Sequence, residues 1–332
     1  MARKEFTPSV LFFKRMIAAT LTVVILGLAA LATVNAVRLR RWQSRAEQYE
    51  AADAARRAEE EAARARSVVL PEKEKPAGEQ NAAEILAANR VIAHAMGSVD
   101  DEWGLNCLEG FLRNYEAGVR VFEVDFRQTS DGYVVLRHDW RGLWQEGVDE
   151  TSIPTLEEFL SLPIEDQYTP LSFGQLLELM EQYPDVCIVT DTKFVEPEAV
   201  TEQFTKMVEE AHRMGLSYLF DRMAVQIYSP LHFNVVDNIY HFPHYIYTLY
   251  QDNFDMTEDG FRQKANYAQE KGIEAITMWD FLWHEEWGPI AAFRGIKVYV
   301  HVVNDRESAL KLLDSGVDAV YTDVLVPGDL ED

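Results

Sequence analysis

The chain has 332 residues, enough for one large domain or two modest ones with a sizeable core, and a formal net charge of −24 at pH 7. The charge is uneven: residues 1–90 carry 15 Lys/Arg against 11 Asp/Glu, while residues 91–332 carry 16 against 44, a net of −28. A surface that acidic repels a phosphate backbone and excludes DNA or RNA as a partner.

In chain order, Met16 to Val37 is almost wholly apolar and uncharged, long enough for a helix to cross a hydrocarbon core of about 30 Å. Lys14 and Arg15 precede it, Arg38, Arg40 and Arg41 follow it, and no small-residue cleavage site does. The run therefore reads as a retained anchor rather than a cleaved signal peptide. Residues 38–66 are rich in Ala, Glu and Arg without Pro or Gly, which predicts a solvated helical stalk. No sustained Leu or Ile heptad suggests a coiled coil there. Residues 70–80 read as a polar linker. The expected organisation is a short cytoplasmic tail over 1–15, a transmembrane helix over 16–37, stalk and linker over 38–82, and a folded domain over 83–332. The domain is expected outside the cell, on a single-pass membrane protein.

Within that domain short β-branched runs alternate with helical patterns. Strands are predicted at Arg90–His94, Val119–Phe126, Tyr133–Arg137, Val186–Thr190, Met223–Ile227, Tyr245–Leu249, Ala275–Met278, Lys297–Val302 and Ala319–Thr322. Helices are predicted at Leu105–Ala117, Ser172–Gln182, Pro197–Met214, Asp259–Lys271 and Ser308–Ser315. This alternation predicts a (β/α)₈ barrel or an open doubly wound sheet. Asp131-Gly132 is a hairpin signal, so Tyr133–Arg137 reads as a return strand on the second one. No Gly-x-Gly-x-x-Gly follows the first strand, which argues against a dinucleotide fold. Cys107 and Cys187 read as free, buried thiols.

Catalytic groups in a barrel cluster at the carboxyl ends of strands. His94, Glu123, Asp125, His138 and Asp191 all fall there. Glu123 and Asp125 project from one face of an extended strand. Two like charges so placed call for a hard divalent cation, Mg²⁺ or Ca²⁺, between them; the alternative is a solvated pair or an ion pair with Arg120 or Arg127. Asp191 with Lys193 repeats the spacing with opposite charges, either a third metal ligand and a cation for phosphate or a plain ion pair. His94 and His138 together offer an acid and a base that titrate near neutrality; singly they read as a core histidine and a turn residue. Gln226 and Tyr228 end a later strand, as substrate contacts or as packing. Trp279, Trp283 and Trp287, with Asp280, His284, Glu285 and Glu286 among them, form an aromatic lid or ordinary loop packing. Trp140, directly after His138-Asp139, is a further candidate.

At these residues the chain resembles the glycerophosphodiester phosphodiesterase family, a branch of the phosphatidylinositol-specific phospholipase C-like barrels, and within it a divergent, mostly bacterial group. The matches are His94, Asn106, Glu123 with Asp125, Asp131-Gly132, His138-Asp139, Asn304, and Gly316-Val317-Asp318 through Thr322-Asp323, in order along the domain. Ala95 stands where the family has a phosphate-contacting arginine, Leu105 where it has a glutamate before Asn106, and Asp191 where it has a glutamate before Lys193. His301 stands near the position of a family tryptophan.

The resemblance implies a (β/α)₈ barrel. It implies one divalent ion, Ca²⁺ or Mg²⁺, on Glu123, Asp125 and Asp191, with acid/base catalysis by His94 and His138. Lys193, Asn106, Gln226, Tyr228, His301 and Trp140 are the expected substrate contacts. The implied reaction is hydrolysis of a small-molecule glycerophosphodiester to glycerol 3-phosphate and an alcohol, in lipid metabolism; the anchor and stalk alone motivate extending it to polymeric envelope glycerophosphates. Two other readings remain open: a catalytically inactive barrel serving as a binding or scaffold module, and a phospholipase C-like lipid phosphodiesterase.

Overall fold

The computed structural model describes residues 69–140, 153–250 and 256–331. Met16–Val37 and the stalk over 38–66 lie outside the described residues, among which no helix is long and apolar enough to cross a membrane.

Eight parallel strands close on themselves: β1 (Val91–Ala93), β2 (Val121–Gln128), β4 (Cys187–Thr192), β5 (Met223–Ile227), β6 (His244–Thr248), β7 (Ala275–Trp279), β8 (Lys297–His301) and β9 (Ala319–Thr322). Pairing of β1 with both β9 and β2 seals the barrel. The remaining strand, β3 (Val134–Leu136), runs antiparallel on β2, as the Asp131-Gly132 turn requires. The open-sheet alternative is thereby excluded.

The period-2 alternation of each strand divides its side chains between two cores. Phe122, Val124 and Phe126 face outward and pack with the helices. These include α2 (Leu108–Glu116), α4 (Phe173–Gln182), α5 (Pro197–Met214), α6 (Pro230–Ile239), α7 (Glu258–Lys271) and α9 (Arg306–Asp314). Ile92, Val121, Val189, Ala224, Ile246, Ala275, Tyr299 and Ala319 fill the barrel. Ala82, Ile85 and Leu86 of α1 (Ala82–Ala88) join that inner cluster and plug the end where the strands begin. Helices α3 (Leu156–Ser161) and α8 (Gly288–Ala292) complete the regular elements. Cys107 and Cys187 are free and buried, as expected.

The polar segment before α1 is bound to the barrel rather than hanging free. Leu70 N–H donates to Arg213 O at 2.9 Å and Lys73 N–H to Gly215 O at 2.9 Å. Lys73 pairs with Glu181 and Lys75 with Asp221. Glu79 reaches the fully buried guanidinium of Arg222 at 2.9 Å. Arg222 also donates to the carbonyls of Met180, Tyr183 and Val186. A charge so buried requires its counter-charge, and Glu79 supplies it. Gly215 is required twice over: its φ is +69°, and a Cβ there would meet Pro71 O at 2.2 Å.

Candidate active site

Strand register builds the site. Asp125 of β2 lies directly beside Asp191 of β4. The pairing of Ala93 with Phe122 puts the next residues, His94 and Glu123, side by side; the pairing of Ala93 with Thr322 does the same for His94 and Asp323. One tier at the carboxyl ends of β1, β2, β4 and β9 thus gathers residues up to 229 positions apart.

Glu123, Asp125 and Asp191 are all buried and each offers a carboxylate oxygen within 4.8 Å of the others. Asn106 clasps Asp125 twice: its Nδ2 donates to Asp125 Oδ2 at 2.7 Å and its Oδ1 accepts from Asp125 N–H at 2.9 Å. Asn106 therefore serves the carboxylate. Glu123 Oε2 accepts from Ala95 N–H at 2.7 Å. Ala95 and Met96 turn that donor inward with φ of 47° and 70°, a left-handed backbone that costs energy in residues with a Cβ. Lys193 Nζ lies 2.6 Å from Asp125 Oδ1 and also pairs with Asp191. Tyr228 OH donates to Asp191 Oδ1 and to Thr192 O. Gln226 Nε2 donates to the same Asp191 oxygen at 3.3 Å, and Tyr321 OH donates to Gln226 Oε1 at 2.9 Å. Gln226 and Tyr228, expected against substrate, instead hold Asp191.

The electrostatics follow from this crowding. Burial, with Asp125 beside it, pushes the Glu123 carboxyl up to about 8. Burial would also raise Asp125, but the Lys193 ammonium outweighs it and holds the group below its ordinary value. Burial opposes charge on Lys193, yet Asp191 and Asp125 raise it well above the ordinary lysine range. The donor set is three hard oxygens around one point, and the Lys193 ammonium lies against two of its carboxylates, Asp125 and Asp191. That set fits a divalent cation of the Mg²⁺ or Ca²⁺ kind.

The two histidines flank this cluster. His94 Nδ1 donates to Asp323 Oδ1 at 2.7 Å, leaving Nε2 4.0 Å from Glu123 Oε2. Asn304 Nδ2 donates to the other Asp323 oxygen at 2.6 Å, while Asn304 Oδ1 accepts from Asp323 N–H at 2.8 Å. Burial disfavours a charged His94, but Asp323, Glu123 and Asp125 overcome it and raise its pKa to about 9. His138 follows Arg137, whose N–H donates to Asp125 O at 2.9 Å, so it hangs just beyond the carboxylate cluster. Its side chain is 56% exposed, with Nδ1 2.8 Å from Asp139 Oδ2.

The other candidates separate. His301 lies in the pocket wall beside Trp279, ring centroids 4.8 Å apart, with Nδ1 3.2 Å from Thr277 Oγ1. Burial, and the charges of His94 and Lys193, push it down to about 3, so it is neutral. Trp140 turns away to pack edge-on against Phe159, in a side cluster with Ile164 and Tyr168. Trp283 and Trp287 are core residues against Phe261, and Trp283 Nε1 donates to Ser315 Oγ at 2.9 Å. Loop packing therefore holds for these two, and the lid alternative is reduced to Trp279 stacked on the exposed Phe281. Asp323 and Asn304 were legible only as motif matches; nothing local in the sequence assigns them to His94.

The profile of the Glycerophosphoryl diester phosphodiesterase family matches residues 101–326. A glycerophosphoryl diester phosphodiesterase candidate from Silicibacter pomeroyi superposes with a TM-score of 0.59 at 22% identity, covering 73% of this chain and 91% of its own. A glycerophosphodiester phosphodiesterase from Parabacteroides distasonis gives 0.56 at 18%, covering 70% and 92%. A phosphodiesterase from Oleispira antarctica, solved with its product sn-glycerol-3-phosphate, gives 0.56 at 17%, covering 71% and 93%. At these identities the likeness is one of fold. No curated protein is significantly similar to the chain.

Proposed function

Because the chain belongs to the glycerophosphoryl diester phosphodiesterase family, we propose that it hydrolyses a glycerophosphodiester to glycerol 3-phosphate and an alcohol. The observation that carries this reading is the convergence of Glu123, Asp125 and Asp191 beside the His94–Asp323 pair. The three carboxylates would hold one Ca²⁺ or Mg²⁺. Such an ion, when bound, supplies Lewis-acid polarisation of a phosphoryl oxygen.

The chain's own groups do the rest. Asp323 engages Nδ1 of His94, so Nε2 is the atom left to exchange a proton in the pocket. Asp139 does the same for His138. One imidazole takes the proton of the attacking water and the other returns one to the departing alkoxide; where the glycerol 2-hydroxyl attacks first, the alcohol leaves a cyclic phosphate, which water then opens to glycerol 3-phosphate with the two imidazoles in exchanged roles. Lys193 adds positive charge next to the phosphoryl position, and neutral His301 and Trp279 offer a wall for the organic part of the substrate.

The test is release of glycerol 3-phosphate from glycerophosphocholine and from a polyglycerol-phosphate polymer, with and without chelator. Chelator-sensitive release lost in His94→Ala supports the reading. A wild-type protein inert on every diester, with His94→Ala indistinguishable from it, returns the chain to the scaffold reading. Diacylglycerol release from phosphatidylinositol would move it to lipid cleavage.

We also propose that Met16–Val37 anchors the chain in the cell membrane with the barrel outside. Its support is the uncharged apolar run between basic flanks. Recovery of the full chain in the soluble fraction, or a barrel shielded from protease added to intact cells, would count against it.

A further inference from the structure

Among the described residues, Arg127 is a cation at the barrel mouth that forms no ion pair. It follows Glu123 and Asp125 at the same two-residue spacing, so all three side chains leave β2 on the pocket face. The carboxylates are at the floor and the guanidinium at the rim. Its position is fixed from three sides. Nε donates to His138 O at 2.9 Å, and Nη1 donates to Lys193 O at 3.2 Å. The ring of Phe194 lies under the guanidinium carbon at 5.6 Å.

Two of its five N–H groups are used in this way, both on neutral carbonyls. Among the described residues the side chain forms no ion pair. Asp139, Asp125, Tyr228 and Asp191 are near enough to act on its charge, which places it over the pocket rather than on the outer wall. Two other cations of the pocket are committed: Lys193 to Asp125 and Asp191, and His94 to Asp323. The β1 end contributes none, because Ala95 is 1% exposed and only its backbone N–H faces the site.

A half-buried guanidinium, held rigid and left with a free edge above three carboxylates, is a fork for two oxygens of a tetrahedral anion. We propose that Arg127 grips the phosphoryl group of the substrate. This rests on the phosphodiesterase reading and names the residue that would confer phosphate affinity on that site. The backbone contacts make Arg127 a link between the segments carrying His138 and Lys193 as well, so binding and positioning must be told apart.

The experiment uses the full chain and compares wild type with Arg127→Gln and Arg127→Lys. Calorimetric titration with sn-glycerol 3-phosphate should show affinity weakened roughly tenfold or more in Arg127→Gln, partly recovered in Arg127→Lys. In steady-state hydrolysis KM for glycerophosphocholine should rise by a larger factor than kcat falls. Equal affinity for sn-glycerol 3-phosphate in wild type and Arg127→Gln, with the loss confined to kcat, overturns the proposal and leaves Arg127 a clamp on His138. A wild type that does not bind sn-glycerol 3-phosphate also overturns it. If Arg127→Gln does not fold, Arg127→Lys decides alone: unchanged phosphate affinity counts against the fork. Binding that depends on Arg127 in a protein that hydrolyses no diester sustains this inference while ending the substrate assignment.

Discussion

Two imidazole–carboxylate pairs stand at the mouth of this barrel, and they are built in opposite ways. His94 meets Asp323 across 229 positions of sequence, half-buried, with Asn304 holding the far oxygen of the carboxylate. His138 meets Asp139, its immediate neighbour, on an exposed stretch of chain. The first pair exists only because β1 and β9 are adjacent in the closed barrel; the second needs no fold at all. A buried, doubly held carboxylate fixes ring orientation and tautomer. An exposed one is screened by water and holds its ring weakly.

The sharpest way to break the comparison is to remove the rings. His94→Ala and His138→Ala should each lower kcat by about 10² to 10⁴, because both are asked to move a proton. Initial-rate measurement of glycerol 3-phosphate release checks this, and a His138→Ala enzyme of near-normal rate would show that the exposed pair is not catalytic.

A third histidine extends the contrast. His232 is more deeply buried than His94, and burial alone acts on its charge. Its Nδ1 accepts from Tyr228 N–H at 3.2 Å, which requires a neutral ring. Burial pushes its pKa from 6.5 down to about 4. A base depressed on folding binds fewer protons folded than unfolded throughout that window. Its contribution to stability is complete above pH 6.5 and is lost as pH falls toward 4, by about 3 kcal/mol if this group acts alone. Urea titrations at pH 7 and pH 4 should show the loss, and His232→Gln should show less of it.

Removing the carboxylates should give smaller and unequal effects. Asp323→Asn should lower kcat by roughly 10- to 100-fold, since it forfeits a charge-assisted bond worth about 1.5–3 kcal/mol. Asp139→Asn should change kcat by no more than a few-fold, because an exposed pair is worth little. Equal losses in the two variants would erase the distinction drawn between the pairs. Between these, Tyr228→Phe should weaken Ca²⁺ or Mg²⁺ binding about tenfold, read as the ion-dependent rise in melting temperature, because Asp191 loses one of the donors that hold it.

Much of this was legible in one dimension. The strands follow runs of Val, Ile and aromatic residues that match the observed elements within a residue or two at most ends. The exception at the start is the polar segment before α1: a composition typical of a linker conceals Glu79, the counter-charge of a guanidinium 143 residues away. Pro, Gly and Lys describe a chain that need not fold by itself, and they say nothing about what it docks against. Trp140 escaped for the same reason, and only the structure decided between lid and packing for Trp283 and Trp287. Proximity in sequence to a catalytic motif does not decide which side of a strand end an indole takes, and here apolar neighbours such as Phe159 and Phe261 took them.

The amino-acid sequence alone determined what alternation along a strand can dictate: that Glu123, Asp125 and Arg127 share a face, that the chain returns at Asp131-Gly132, and that βα units repeat often enough to close a barrel. Only the tertiary structure decided which strand ends became neighbours. It set Asp191 beside Asp125, assigned Asp323 to His94, turned Gln226 and Tyr228 from substrate toward Asp191, and left Arg127 without an ion pair among the described residues. The reason is physical: side-chain period is a property of one strand, whereas register and closure are properties of eight, set by the burial of both cores together.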